Sequence, residues 1–155
     1  MPRVISVCGV KNSGKTTLIE SLIPLFTEDG FKVGVIKHDG HEFEIDREGT
    51  DTSRFIKAGA YKTAIFSATR HAVVGGQTDV DSLINLFPEA DVIIVEGLKD
   101  SDIPKVEVVR NGVSDEPVSK DPVLIATDNP TILSKPSAVD LNNAAEIYRR
   151  LTKWD

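Results

Sequence analysis

The sequence predicts an α/β fold: a doubly wound, mostly parallel sheet forming one domain over residues 1–155. Three observations predict it. Short β-branched apolar runs recur along the chain, with Arg3-Val4-Ile5-Ser6-Val7-Cys8 and Asp91-Val92-Ile93-Ile94-Val95-Glu96 the clearest, and such runs suit buried parallel strands. Between them lie segments with apolar residues at helical spacing, such as Thr17-Leu18-Ile19-Glu20-Ser21-Leu22-Ile23. The first strand and the first helix are joined by a glycine loop, Gly9-Val10-Lys11-Asn12-Ser13-Gly14-Lys15-Thr16-Thr17. Strands alternating with helices give a parallel sheet covered on both faces, and ligands of such sheets bind beyond the carboxyl ends of the strands.

The elements follow in order. The first helix runs to about Asp29, with Gly30 as its stop. Pro24 lies within it and either kinks it or ends its first part, because proline removes a backbone donor. Phe31 to Lys37 reads as the second strand, and His38 to Gly49 as a long polar loop of the functional or mobile kind. Thr50 to Ala60 reads as a helix capped by Thr52 or Asp51. Tyr61 to Ser67 and His71 to Val74 are short strands that pair across Ala68-Thr69-Arg70. Asp79 to Phe87 is a helix opened by Asp79 or Asp81. The buried strand ending at Glu96 follows, then Lys105 to Arg110, a strand of alternating character. Asn111 to Asp121 is turn-rich, Val123 to Thr127 is a buried strand, and Asn142 to Lys153 is a helix opened by Asp140 or Asn142.

Composition bounds the function. The chain of 155 residues is 40% hydrophobic and 27% charged, as ordinary globular proteins are. A net charge of −6 argues against broad binding to nucleic acid or to acidic membranes. No apolar run is long enough to span a bilayer, and the chain starts a strand at once without the pattern of a signal peptide. One cysteine, Cys8, excludes an internal disulfide and fits a reducing, cytoplasmic location; it reads as a small buried residue.

The loop of residues 9–17 has the form G-x-x-x-x-G-K-[ST] in the strand–loop–helix context that gives it meaning as a P-loop. A polyanionic phosphate chain needs donors and positive charge without bulk. Gly9 and Gly14 allow close backbone approach, and the N–H groups of Val10, Lys11, Asn12 and Ser13 form an anion nest with them. The helix start at Lys15 aims its positive end at the same point. Lys15 is placed to reach the β- and γ-phosphates, Thr16 to ligate Mg²⁺, and Thr17 to complete the nucleotide loop.

Magnesium needs an acidic ligand as well. Glu96 ends a Val-Ile-Ile-Val run before Gly97, the layout of a Walker-B carboxylate. Asp51, in Gly49-Thr50-Asp51-Thr52-Ser53-Arg54, reads equally as a helix cap or as a carboxylate that meets Mg²⁺ or orders a water; Asp46 competes with it. His38 and His41 stand among Asp39, Glu42 and Glu44, but a closed zinc site needs four ligands, mostly Cys and His, and only Cys8 and His71 remain. Their loop is expected to face the γ-side of a nucleotide, a partner or water. Lys105 and Glu107 share one strand face, which with Arg110 forms either a solvated surface or the rim of a second binding surface. Asp128 follows a strand end; a carboxylate there can accept the N1–H and N2–H₂ of guanine together, or it can cap the turn before Asn129-Pro130.

The P-loop, Val35-Ile36-Lys37-His38, Gly49 to Arg54, Lys57-Ala58-Gly59-Ala60, Ile94-Val95-Glu96-Gly97-Leu98-Lys99 and Pro104-Lys105-Val106-Glu107-Val108-Val109-Arg110 occur in this order. Together, over about residues 3–130, they resemble the molybdopterin-guanine dinucleotide biosynthesis adaptor (MobB) family. The resemblance implies a P-loop NTPase fold, related to dethiobiotin synthetase and the metal-centre GTPases, and a homodimer. It implies a protein that binds GTP with Mg²⁺, hydrolyses it weakly, and assists the guanylyltransferase that joins GMP to molybdopterin. By position Lys15 and Thr16 carry over as phosphate and Mg²⁺ groups, and Glu96 and Asp51 as their acidic partners in catalysis and metal binding. A surface for pterin or partner falls to His38, His41, Lys99, Lys105, Glu107 and Arg110. Lys11, third in its loop, departs from the signature lysine of deviant Walker A proteins. Arg54 and Arg47 are candidates for a charge-stabilising arginine. Two other readings stay open: an ATP-dependent small-molecule kinase or ligase, and a binding module that uses nucleotide as a switch.

Overall fold

The computed structural model describes residues 1–39 and 48–153. In chain order its elements are β1 (Arg3–Cys8), α1 (Lys15–Glu28), β2 (Val33–Lys37), α2 (Asp51–Lys57), β3 (Lys62–Phe66), β4 (His71–Gly75), α3 (Val80–Ile84), β5 (Val92–Glu96), β6 (Lys105–Val109), β7 (Leu124–Thr127), α4 (Pro130–Leu133), β8 (Ala138–Asp140) and α5 (Ala144–Thr152). They fall into two compact units, one of Met1–His38 with Phe87–Asp155 and the other of Asp39–Leu86.

The larger unit is built on a six-stranded sheet in the order β2-β5-β1-β6-β7-β8, with every pairing parallel. Parallel neighbours need crossover connections that cover both sheet faces, so the strands read as nearly continuous apolar runs. On one face Ile5, Val7, Ile94, Val106 and Val108 pack with Leu18, Leu22 and Phe26 of α1 and with Ile147 and Leu151 of α5. Side chains alternate along a strand, so the intervening residues belong to the other face. There Val109 and Ile125 meet Ile132 of α4. Helix α1 continues through Pro24, whose ring is exposed, and Gly30 takes a positive φ of 87° and donates to the Thr27 carbonyl.

Strand β6 departs from the surface that its Lys-Val-Glu-Val-Val pattern suggests. It lies between β1 and β7, and all five residues are buried, Lys105 at 7% and Glu107 at 1% exposure. Lys105 and Glu107 are therefore not on an exposed rim. The Lys105 ammonium donates to the carbonyls of Ser101 and Ile103. The Glu107 carboxylate accepts from Val118 N at 2.8 Å, Ser119 N at 2.9 Å, the Ser119 hydroxyl and the Cys8 thiol. A buried charge survives only with such compensation.

The smaller unit carries α2, the β3–β4 hairpin and α3. The strands pair antiparallel, with Lys62 opposite Gly75 and Phe66 opposite His71. Among its described residues only Thr63 is buried, while Tyr61, Phe66, Ile65 and Phe55 are exposed, the first two at 87% and 84%. Helix α2 is capped by Thr50, whose hydroxyl accepts from Ser53 N, rather than by Thr52 or Asp51. Among the described residues, no helix is long and apolar enough to cross a membrane.

Candidate functional site

The site grows from the end of β1. Cys8 closes the strand, and the chain turns at Gly9 with φ +137°, a conformation that side chains resist. A Cβ on Gly9 would stand 2.5 Å from the Val108 carbonyl oxygen and 2.9 Å from Ser13 Oγ, so β6 packs directly against the loop. Asn12 and Gly14 also take positive φ, 62° and 101°. Lys11, Asn12, Thr16 and Thr17 are exposed, Val10 and Lys15 are half-buried, and Ser13 is buried with its hydroxyl unpartnered.

Helix α1 begins here without a side-chain cap and with no acidic residue in its first turn. The helices α2, α3, α4 and α5 all have one, from Thr50, Asp79, Asn129 and Asn143. The first N–H groups of α1 thus keep their donor capacity and their partial positive charge. Lys15 folds its ammonium over the loop, donating to Gly9 O at 3.1 Å and Val10 O at 2.8 Å.

Strand pairing supplies the acid. Val7 of β1 lies opposite Glu96 of β5, which carries the carboxylate to the loop. Thr16 Oγ1 donates to Glu96 at 3.1 and 3.3 Å. His38, at the exposed end of β2, donates its backbone N–H to Glu96 O, and its own carbonyl lies 3.2 Å from where a Gly97 Cβ would stand. On the opposite flank Arg110 leaves the end of β6. Its Nε donates to Ser13 O at 3.0 Å, and its Nη1 lies 3.7 Å from Asp128 Oδ2. Asp128 Oδ1 also accepts from Asn111 N at 2.6 Å. Beneath the loop, burial pushes the Cys8 thiol up from 9.0 to about 11, which makes it a neutral packing group rather than a nucleophile.

The donor set fits a nucleoside triphosphate with Mg²⁺. Glycine backbone, an uncapped helix start and Lys15 suit phosphate oxygens, and a hydroxyl beside one carboxylate is the sparse protein shell that Mg²⁺ accepts. The structure thus brings Gly9 to Thr17, Glu96 and Arg110 together, with Asp128 beside Arg110. Lys99 is exposed beyond the end of β5. Asp51 belongs to the smaller unit, at the first position of α2, where its carboxylate lies 3.6 Å from Arg54. His41, with Glu42, Glu44, Asp46 and Arg47, lies outside the described residues. The contact between Arg110 and the loop was missed from sequence, because only the order of strands reveals that β6 is the neighbour of β1.

Known proteins resemble this chain in sequence and in fold. Residues 4–128 match the family described as molybdopterin guanine dinucleotide synthesis protein B. A molybdopterin-guanine dinucleotide biosynthesis adapter protein from Escherichia coli is 30% identical over 153 residues, covering 92% of this chain and 87% of its own. A protein of the same description from Haemophilus influenzae is 30% identical over 158 residues, covering 97% and 88%. The crystal structure of Bacillus subtilis MobB superposes with a TM-score of 0.73 at 27% identity, covering 97% of this chain and 98% of that one.

Proposed function

The chain belongs to the MobB family, and from that premise we propose that it is a GTP-binding adapter with slow hydrolytic activity in the synthesis of molybdopterin guanine dinucleotide. Its relatives carry the adapter description, and the pathway implies a partner enzyme, which we take to be the guanylyltransferase that joins GMP to molybdopterin. The observation that carries the nucleotide reading is the Thr16–Glu96 hydrogen bond at the foot of an uncapped helix.

Lys15 exchanges the carbonyls of Gly9 and Val10 for phosphate oxygens, so the ammonium swaps weak neutral acceptors for charged ones. The loop N–H groups and the start of α1 fix the phosphate chain. Thr16 and Glu96 would hold Mg²⁺, which would supply charge neutralisation at the phosphate oxygens. Water attacks the γ-phosphorus as its bond to the β–γ bridging oxygen breaks, GDP leaves, the water's proton passes to the released phosphate, and Lys15 balances the charge that develops on the leaving oxygen. A partner that completes this constellation would raise the rate, as the adapter role suggests. The buried thiol of Cys8 suits a reducing cytoplasm. The exposed Tyr61, Ile65 and Phe66 of the hairpin, in a unit with no buried apolar residue described, support a homodimer in which a second copy covers them.

The test is equilibrium binding of GTP and ATP with Mg²⁺, followed by phosphate release alone and with the guanylyltransferase. GTP is expected to bind, Lys15→Ala to abolish binding, and release to rise with the partner. A preference for ATP overturns the adapter reading in favour of a kinase or ligase. Binding without release under either condition leaves a nucleotide switch. Sedimentation of the full chain as a monomer overturns the dimer.

A further inference from the structure

We propose that the cavity between α1 and the start of α5 is the nucleobase subsite, and that Arg110 selects guanine there through its O6 and N7 acceptors. This rests on the reading that the loop binds a nucleoside triphosphate. The sheet order gives that nucleotide a direction. Strand β1 delivers the loop, β5 flanks it on one side with Glu96, and β6 flanks it on the other with Arg110. The Thr16–Glu96 pair marks the metal and γ-phosphate end on the β5 side. The nucleoside end then falls on the β6 side.

A cavity of about 170 Å³ opens on that side, with Gly14, Thr17, Leu18, Arg110, Leu141 and Asn142 in its wall. Two of these belong to the nucleotide loop, so the cavity continues from it. Leu18 and Leu141, 3% and 7% exposed, close the cavity's floor with apolar groups. Arg110 is held in place rather than free in solvent. Its Nε is tied to Ser13 O at 3.0 Å, and its Nη2 lies 2.7 Å from where a Gly14 Cβ would stand, so the guanidinium lies close against the loop.

A guanidinium offers donors only. Guanine presents two acceptors, O6 and N7, on one edge, and a donor fork meets both. Adenine presents N7 beside an amino donor, which opposes the fork. Asp128 acts on Arg110 rather than on the base. One of its oxygens accepts the Asn111 N–H at 2.6 Å and the other faces Nη1 at 3.7 Å, so it is a positioning residue that braces the guanidinium.

Inosine triphosphate separates the two ways of reading guanine. It keeps O6 and N7 and lacks the 2-amino group that a carboxylate such as Asp128 would need. The experiment is titration calorimetry of the full chain with Mg²⁺ and GTP, ITP or ATP. GTP and ITP are expected to bind alike, with ATP roughly ten- to a hundredfold weaker. Arg110→Ala should lower GTP and ITP binding by roughly ten- to a hundredfold more than it lowers ATP binding, the loss common to all three reporting the lost hydrogen bond to Ser13 O, with circular dichroism reporting that the variant is folded. Arg110→Lys should recover little, because a point charge lacks the fork. Asp128→Asn should reduce the GTP-to-ATP ratio in the same direction by a smaller factor. Equal loss of GTP and ATP in Arg110→Ala overturns the proposal by making Arg110 a phosphate contact. ITP binding as weakly as ATP also overturns it, by assigning the readout to the 2-amino group. Wild-type protein that binds GTP and ATP alike overturns it while the nucleotide reading stands; wild-type protein that binds none of the three overturns both.

Discussion

Replacing Glu107 by alanine separates a buried carboxylate from a surface one. If Glu107 were on a solvated face, the change would fall within about 0.5 kcal/mol of neutral. The structure demands more. Glu107 is 1% exposed and accepts two backbone N–H groups, from Val118 and Ser119, besides the Ser119 hydroxyl and the Cys8 thiol. Each donor left without an acceptor costs about 1–3 kcal/mol. Two such donors and the lost packing set the gross loss. Relief of the buried charge offsets part of it, as does water reaching Val118, which is exposed. The net expectation is a destabilisation of about 2–4 kcal/mol, a large share of the roughly 5–15 kcal/mol that holds a domain folded. In a chain of this length each kcal/mol moves Tm by roughly 2–4 °C, so the midpoint should fall by about 5–15 °C. Glu107→Gln keeps the shape and one acceptor oxygen and should lose about half as much. Urea unfolding of the three proteins, with Tm from calorimetry, is the assay. A Glu107→Ala midpoint indistinguishable from wild type would refute the reasoning and return Glu107 to the surface.

Gly9→Ala drives a Cβ to 2.5 Å from the Val108 carbonyl at φ +137°, so the loop must move; GTP binding should weaken by roughly tenfold or more, read by calorimetry against a folded control. Ile147→Ala opens a hole where α5 meets the core and should lower stability by about 2–5 kcal/mol in urea unfolding. For Cys8 the sign follows from the direction of its shift. Its thiol is raised in the folded state, so the unfolded chain releases its proton first. The stability is complete below pH 9 and is lost as pH climbs from 9.0 towards about 11, by an amount on the order of 2 kcal/mol. In the folded protein at pH 8 the same thiol should not react with Ellman's reagent, whereas the urea-unfolded chain should react at once.

The parts of this molecule that local chemistry determines were legible in the sequence. Gly9, Gly14, Lys15 and Thr16 announce themselves by spacing, and β1, α1 and β5 by apolar pattern. The place of Glu96 was legible because a carboxylate that closes a four-residue apolar run falls at the carboxyl edge of a parallel sheet, where the loop also lies. The parts that depend on strand order were hidden. Lys105 and Glu107 alternate with valines as an edge strand would, and nothing nearby tells that β7 and residues 118–119 cover them. Arg110 and Ser13 are far apart in sequence, and only the β1–β6 pairing brings them together. The short α4 and β8 carry too few residues to show a period, so they passed unseen within residues 128–141. The caps of α2 and α5, Thr50 and Asn143, each sit one residue from an expected position, because neighbouring polar residues are chemically equivalent until the backbone chooses.

The parallel sheet also sets a timetable for the ribosome. Val4 of β1 cannot pair until Ile93 exists, and Ser6 waits for Lys105. At roughly 5–20 residues per second, that is a delay on the order of 5–20 s during which an apolar segment waits unpaired near the front of the nascent chain. The nucleotide loop cannot close in that interval, because Val108 and Glu96, which shape it from either side, have not been made. A ligand of this loop can therefore act on the chain only after most of it has been synthesised.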